Sequence, residues 1–237
     1  MKNFKIIIGV IIILLVIAGI VFYFKNSGSF NLASNSVSPE LQTLLEIDES
    51  KFVEPEGLTQ ADYDQASANL KNVRNLIIKD PTDAQSWFDF GYFKEFFNDH
   101  TGAVAAWKKS LEIGPYNYVA WLDVANADQY FLKNYAEAET SYLKVLEIKS
   151  DITSAYRGLM DLYQFNWKEQ QDKYEPLVLE AIAKDPNSKE IYYSNLVEFF
   201  ASSSTQNLTK ARKYLAEVKK MNPASAEQLV ETYPVLK

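Results

Sequence analysis

The chain has 237 residues, one histidine, no cysteine and a formal net charge of −7. With so little sulfur and imidazole, zinc sites and Cys–His or Ser–His pairs have almost no material, and an acidic chain is a poor match for a phosphate backbone. No glycine-rich phosphate loop is present, so composition points away from nucleic acid, from metals and cofactors, and from catalysis.

In chain order, the first element is an unbroken apolar run from Ile6 to Phe24, with Lys2 and Lys5 before it and Lys25 after it. At about 1.5 Å per residue, a helix of that length spans close to the ~30 Å hydrocarbon core. Phe22, Tyr23 and Phe24 gather at its far end, where amphipathic rings favour the interface. A cleaved signal peptide would carry an apolar region of only about 7–15 residues followed by a small-residue cleavage site, whereas this run ends in Tyr-Phe-Lys. Residues 1–25 are therefore expected to form a retained single-pass anchor, meeting the membrane through residues 6–24. The preceding lysines place the N-terminus in the cytoplasm and everything after Lys25 outside it, in a bacterium the periplasm or cell exterior. Setting aside Lys2, Lys5 and Lys25 takes the charge from −7 to −10, which argues against docking on anionic lipid and suits a basic partner.

Residues 26–57 read as a linker with a short helix. Asn26–Ser38 is rich in serine and asparagine and has no apolar periodicity. Ser38-Pro39-Glu40 then supplies an N-cap, a proline at the first helical position and an acid in the first turn. Leu41, Leu44, Leu45 and Ile47 could pack this helix on the repeats further along the chain, and Glu54-Pro55-Glu56-Gly57 breaks the chain.

From residue 58 to 237 the pattern is helical throughout. Thr59–Lys79 carries Leu70, Val73, Leu76 and Ile77 on one face and ends in Asp80-Pro81. Next come Trp87, Phe90, Gly91, Ala103, Trp107 and Pro115 in one frame, and Trp121 opens a second copy 34 residues after Trp87. Trp87, Phe90 and Gly91 fall on a first helix, and Ala103, Trp107, Ser110 and Leu111 on a second. Short side chains at Gly91, Ala103 and Ser110 let the two helices approach closely, and bulky neighbours fill the space around the contact. The second copy keeps Val124, Ala125, Ala138, Tyr142, Val145 and Leu146, with its second helix one residue late, so a single insertion is placed near Gln129–Lys133. The third, Ile152–Asn187, keeps Tyr156, Leu159, Tyr163, Ala181 and Ile182 with about two extra residues, and Tyr174 stands where a small alanine is expected. The fourth, Ser188–Ala224, keeps Tyr193, Leu196, Phe200, Ala211, Leu215 and Val218, and its turn is stretched by Ser202–Asn207. Leu229, Val230 and Tyr233 suit a short capping helix over Ala224–Leu236.

This frame resembles the tetratricopeptide repeat (TPR), W-x2-L-G-x2-Y, then A-x3-F, then P, over roughly Asp83–Pro223. The resemblance implies an all-α solenoid of about four helical hairpins with flanking helices, here behind an N-terminal transmembrane helix. It also implies a surface for partners in place of an active site. In TPR proteins peptides usually lie against the first helices of the hairpins. The corresponding positions here are Phe88, Asp89, Tyr92 and Phe96, then Leu122, Asp123, Asn126 and Tyr130, then Arg157, Asp161 and Phe165. Chaperone-type members use lysine, arginine and asparagine there to grip a C-terminal carboxylate. Phe88, Tyr92, Leu122 and Asp161 depart from that, so an apolar or basic peptide or protein is the expected partner. His100, in Asn98-Asp99-His100-Thr101-Gly102, reads as an exposed turn residue, and the carboxylates read as solvent-facing. The expected role is a membrane-anchored envelope scaffold, with a self-associating homo-oligomeric subunit of an envelope assembly as the second reading.

Overall fold

The computed structural model describes residues 38–52, 57, 59–202 and 206–237. The expected anchor at residues 6–24, most of the tether and the Glu54–Glu56 break lie outside them. Among the described residues there is no strand, and no helix is long and apolar enough to cross a membrane.

The helices are α1 (Pro39–Leu44), α2 (Gln60–Lys79), α3 (Ala84–Phe96), α4 (His100–Ile113), α5 (Tyr118–Ala127), α6 (Tyr135–Ile148), α7 (Thr153–Asp161), α8 (Tyr174–Lys184), α9 (Lys189–Ala201), α10 (Leu208–Met221) and α11 (Pro223–Thr232). They pack in chain order as the hairpins α3–α4, α5–α6, α7–α8 and α9–α10, with α2 before them and α11 after them. Short polar residues start most of the helices by accepting from free N–H groups of the first turn. Asp83 accepts from Gln85 and Ser86, Asn117 from Val119 and Ala120, and Asn207 from Lys210. Thr59 and Asp62 form a reciprocal capping box on α2.

The recurring aromatic that defines the repeat has a polar reason to recur. The Trp87 ring N–H donates to the Pro81 carbonyl at 2.9 Å, and Trp121 donates to Pro115 at 2.9 Å. In the third hairpin the hydroxyl of Tyr156 reaches the carbonyl of Ser150 at 3.2 Å, again six residues back. Each ring therefore fills the core while its polar handle satisfies a carbonyl of the preceding turn. Between α3 and α4, Gly91 lies under Trp107, and a Cβ there would sit 2.5 Å from the indole. The Ser110 hydroxyl, buried at the same crossing, donates to the Ala84 carbonyl at 2.7 Å.

The insertion in the second repeat takes the form of a π-helical turn, Asp128–Leu132, closed by Lys133 in the left-handed region at φ 60°. Its counterpart in the first hairpin is Asn98 at φ 61°, 35 residues earlier. One residue has been added to the 34-residue interval, and the wider turn absorbs it. The third repeat has a similar turn at Leu162–Asn166, then a 3₁₀ stretch, Lys168–Lys173, that holds its extra residues. Tyr174, in the alanine position, stacks face to face on Phe199 at 4.1 Å and so fills the space between α8 and α9.

At the start of the solenoid, residues 38–52 fold back over α2 and the α3–α4 corner. Leu45 is fully buried there, and Phe52 stacks on Phe97 at 4.2 Å. The Arg74 guanidinium donates to the Leu45 carbonyl at 3.0 Å. The Lys94 ammonium, only 5% exposed, donates to the Glu46 carbonyl at 2.5 Å and to the Asp99 carboxylate at 2.7 Å. Hydrogen bonds from a charged donor are each worth about 1.5–3 kcal/mol. Lys94→Ala is therefore expected to cost about 2 kcal/mol in denaturant unfolding; an unchanged midpoint would mean that this segment is not held through Lys94. At the other end α11 and the turn Pro234–Leu236 cover the last hairpin with Leu229 and Leu236, as a solenoid cap must. Asn222 and Ser225 also donate to Glu190, at 3.0 and 2.6 Å.

Candidate functional site: the face formed by the first helices

The anchoring aromatics Trp87, Trp121 and Tyr156 give a common frame for α3, α5 and α7. Residues two, five and nine positions further on fall on one face of each helix, at i, i+3 and i+7. They are Asp89, Tyr92 and Phe96 on α3, and Asp123, Asn126 and Tyr130 on α5 and its π turn. On α7 and its π turn they are Gly158, Asp161 and Phe165. The face is thus acidic toward the helix starts and aromatic toward the helix ends, with hydrogen-bonding groups between.

Asp89 and Asp123 are half-buried. Burial pushes the Asp89 carboxyl up to about 6, opposed by the Gln85 amide that donates to it at 2.7 Å and reinforced by Asp83. Burial also pushes Asp123 up to about 7, with Glu95 adding like charge. The Tyr92 hydroxyl on α3 is raised by burial and then by the charge of Asp123 on α5. Neither acid is ion-paired among the described residues, and the side-chain charges they feel are those of other acids.

The aromatic row opens progressively along the solenoid. Phe96 is half-buried, edge-on to Phe97 at 5.0 Å. Tyr130 is 41% exposed and Phe165 62%. Tyr130 donates to the Asp161 carboxylate at 3.1 Å, tying the second hairpin to the third, and burial with the Asp161 charge pushes its hydroxyl up to about 12. Phe88 and Leu122 lie one position after the anchoring aromatic; both are half-buried and pack into the clusters between hairpins, so part of each ring or chain serves the core. Arg157, at the equivalent place on α7, is exposed.

Beneath this face lies a polar network with members that sequence reasoning alone did not mark as functional. Tyr142, fully buried on α6, donates to Asn126 at 2.8 Å. Gln129, also fully buried, is best oriented with its amide nitrogen donating to the Tyr142 hydroxyl at 2.7 Å and to the Gly158 carbonyl at 3.2 Å. Asn126 thus spends its oxygen inside and keeps an N–H group for the groove. The signal in the sequence was a glutamine in an apolar helix end, at the predicted insertion.

Two expectations need correction. His100 is not a turn residue: Asp99 caps α4, so His100 is its first residue. It is half-buried, with Nδ1 2.8 Å from Glu95 and its ring stacked on Phe131 at 3.8 Å. Nor do all carboxylates face solvent. Asp128 is 1% exposed, with one oxygen accepting from Asn134 at 2.9 Å and the other unpartnered, and burial raises its carboxyl. Among the described residues no cluster could hold a metal ion. Two hollows of about 780 and 400 Å³ lie elsewhere, where residues 42–52 rest on α2 and the α3–α4 corner. They are seams beside the fold-back segment, away from the first-helix face.

No family model matches the chain, and no curated protein sequence matches it. The fold does have solved counterparts. A crystal structure of MamA is 13% identical, covers 71% of this chain and 95% of its own, and gives a TM-score of 0.55. The double mutant "MamA RS-1 ArsTM" is 18% identical over 68% of this chain and 86% of its own, with a TM-score of 0.54. YrrB, described as a TPR protein, is 20% identical over 65% of this chain and 77% of its own, with a TM-score of 0.47. With the 34-residue frame, the close helix crossings at small residues and the capped ends, the architecture is that of the tetratricopeptide-repeat solenoid.

Proposed function

We propose that this chain is a membrane-anchored scaffold whose solenoid stands outside the cytoplasm and binds an apolar or basic peptide, or a protein presenting one, on the face of its first helices. The observation that carries the reading is that face itself. It displays half-exposed aromatics beside carboxylates that have no cation, on helices packed hairpin against hairpin. Aromatic side chains offer large contact area with few torsions to freeze. The anchor rests on the Ile6–Phe24 run and on the lysines around it.

Capture from native membranes with the full chain tests the binding reading. Tyr92→Ala, Tyr130→Ala is expected to leave the helical signal intact and to lose captured partners, since truncating an aromatic anchor often costs 2 kcal/mol or more. Partners that persist on the folded variant would move binding to another surface. Topology is tested separately by a reporter active only in the cytoplasm. Fused after Lys237, it is expected to stay silent; strong activity would overturn the orientation.

A further inference from the structure

The acidic and aromatic rows lie at opposite edges of one face. They are seven residues apart along each helix, about 10 Å at 1.5 Å per residue. Between them run Tyr92, Asn126 and Asp161. The Asn126 oxygen is taken by Tyr142, which leaves its amide N–H for a ligand, and no hydrogen bond is made by the Tyr92 hydroxyl among the described residues. A helix laid here would bring a backbone already satisfied by its own bonds. An extended chain brings free N–H and C=O groups that need such partners. Its side chains alternate to opposite sides, so one set would meet the acids and the other the rings. We propose that the occupant is an extended segment of alternating basic and apolar residues, its lysines or arginines against Asp89 and Asp123 and its apolar side chains against Tyr130 and Phe165. This rests on the binding reading above and specifies its ligand.

Charge complementarity selects the basic row. Asp89, which accepts from the neutral Gln85 amide, and Asp123 have no ion-pair partner among the described residues, and a cation beside them would relieve the cost of their burial. The open end of the aromatic row selects the apolar one, because Tyr130 and Phe165 lose water only when something covers them. Neighbouring packed helices lie about 8–10 Å apart, so three hairpins present roughly 20 Å of face, the reach of about six extended residues.

The test uses the full chain and three fluorescein-labelled hexapeptides read by anisotropy: Lys-Phe-Lys-Phe-Lys-Phe, its block isomer Lys-Lys-Lys-Phe-Phe-Phe, and Glu-Phe-Glu-Phe-Glu-Phe. The alternating basic peptide is expected to bind at least tenfold more tightly than either control. Phe165→Ala and Asp123→Asn are each expected to weaken it about tenfold, with unchanged melting for Phe165→Ala because that ring is mostly in solvent. Equal binding of the isomers would overturn the alternating, extended occupant, as would indifference to both substitutions or no binding of any peptide. The binding reading fails separately, if membrane capture survives Tyr92→Ala, Tyr130→Ala in a folded protein. Loss of capture there with isomer-blind peptide binding leaves that reading standing and rejects this ligand.

Discussion

Replacing Gly158 with alanine is expected to destabilise the solenoid by about 2–3 kcal/mol, and leucine at the same place to cost more. The sign is what makes this informative. Glycine inside a helix is ordinarily a weakness, and alanine in its place gains roughly 0.5–1 kcal/mol. Gly158 lies within α7, buried, with the ring and hydroxyl of Tyr142 where its Cβ would be. Tyr142 is fully buried, and its hydroxyl is held by Asn126 and Gln129, so the ring has nowhere to withdraw.

A control lies within the same chain. At Gly114 an added Cβ would meet Ala84 at 3.6 Å, an ordinary contact, and alanine there is expected to leave stability unchanged or slightly raised. Gly91 behaves like Gly158, because its Cβ would meet the Trp107 ring at 2.5 Å and the Ala103 carbonyl at 3.0 Å. Denaturant unfolding of Gly158→Ala, Tyr142→Leu and the double variant separates overpacking from a general loss of helix. If the clash is the cause, the double variant loses less than the two single changes together, by about 1 kcal/mol. Additive losses would reject it.

Gly158 also marks where the sequence stopped being legible. The repeat frame could be read because its markers act locally: an aromatic whose polar handle reaches a carbonyl six residues back, and small residues one hairpin apart. The insertion could be read from a second helix arriving one residue late, and a π turn is how a helix absorbs one residue. The Gly158–Tyr142 contact crosses from one hairpin to the next, outside the repeat's own small-residue pattern. That residues 38–52 would pack on the repeats was legible in Leu41, Leu44, Leu45 and Ile47, but the polar contacts that fasten the segment were not. Lys94 and Glu46 meet across 48 positions, and no local period records such a contact. His100 was misread because Asn98–Gly102 has turn composition, whereas Asp99 uses that composition to start a helix. For the first-helix face proposed to bind, the positions followed from the repeat frame, but the burial of its acids did not. An aspartate reads as solvent-facing until the neighbours that desolvate it are in place.

That burial gives the second large expectation, a stability that falls between about pH 4 and pH 7 on account of two side chains. Asp89 and Asp123 titrate at about 6 and about 7 in the folded chain, against an ordinary value of 3.8. The folded state therefore holds protons through that window that the unfolded state has released. Stability must decline as pH rises wherever the native state binds more protons. The contribution of the protonated acids is complete below about pH 4 and gone once pH passes the folded values. At 1.36 kcal/mol per unit the shifts set the upper bound; water still reaches both half-buried groups, and screening brings the effect to about 1–2 kcal/mol each. Asparagine keeps the shape and cannot ionise. Asp123→Asn is expected to stabilise the chain by that amount at pH 8 and to leave it unchanged near pH 4, measured as the difference between variant and parent unfolding across pH. A difference that does not vary with pH would show that Asp123 is not desolvated in the fold. The same protons couple to binding. A basic ligand requires the ionised acids, so affinity for the alternating lysine–phenylalanine peptide is expected to rise about tenfold from pH 5 to pH 8 in the parent. In Asp89→Asn, Asp123→Asn it should stay flat. The groove would then trade stability for ligand as pH rises, since the unpaired charge that weakens the empty face is the one that a cationic side chain neutralises.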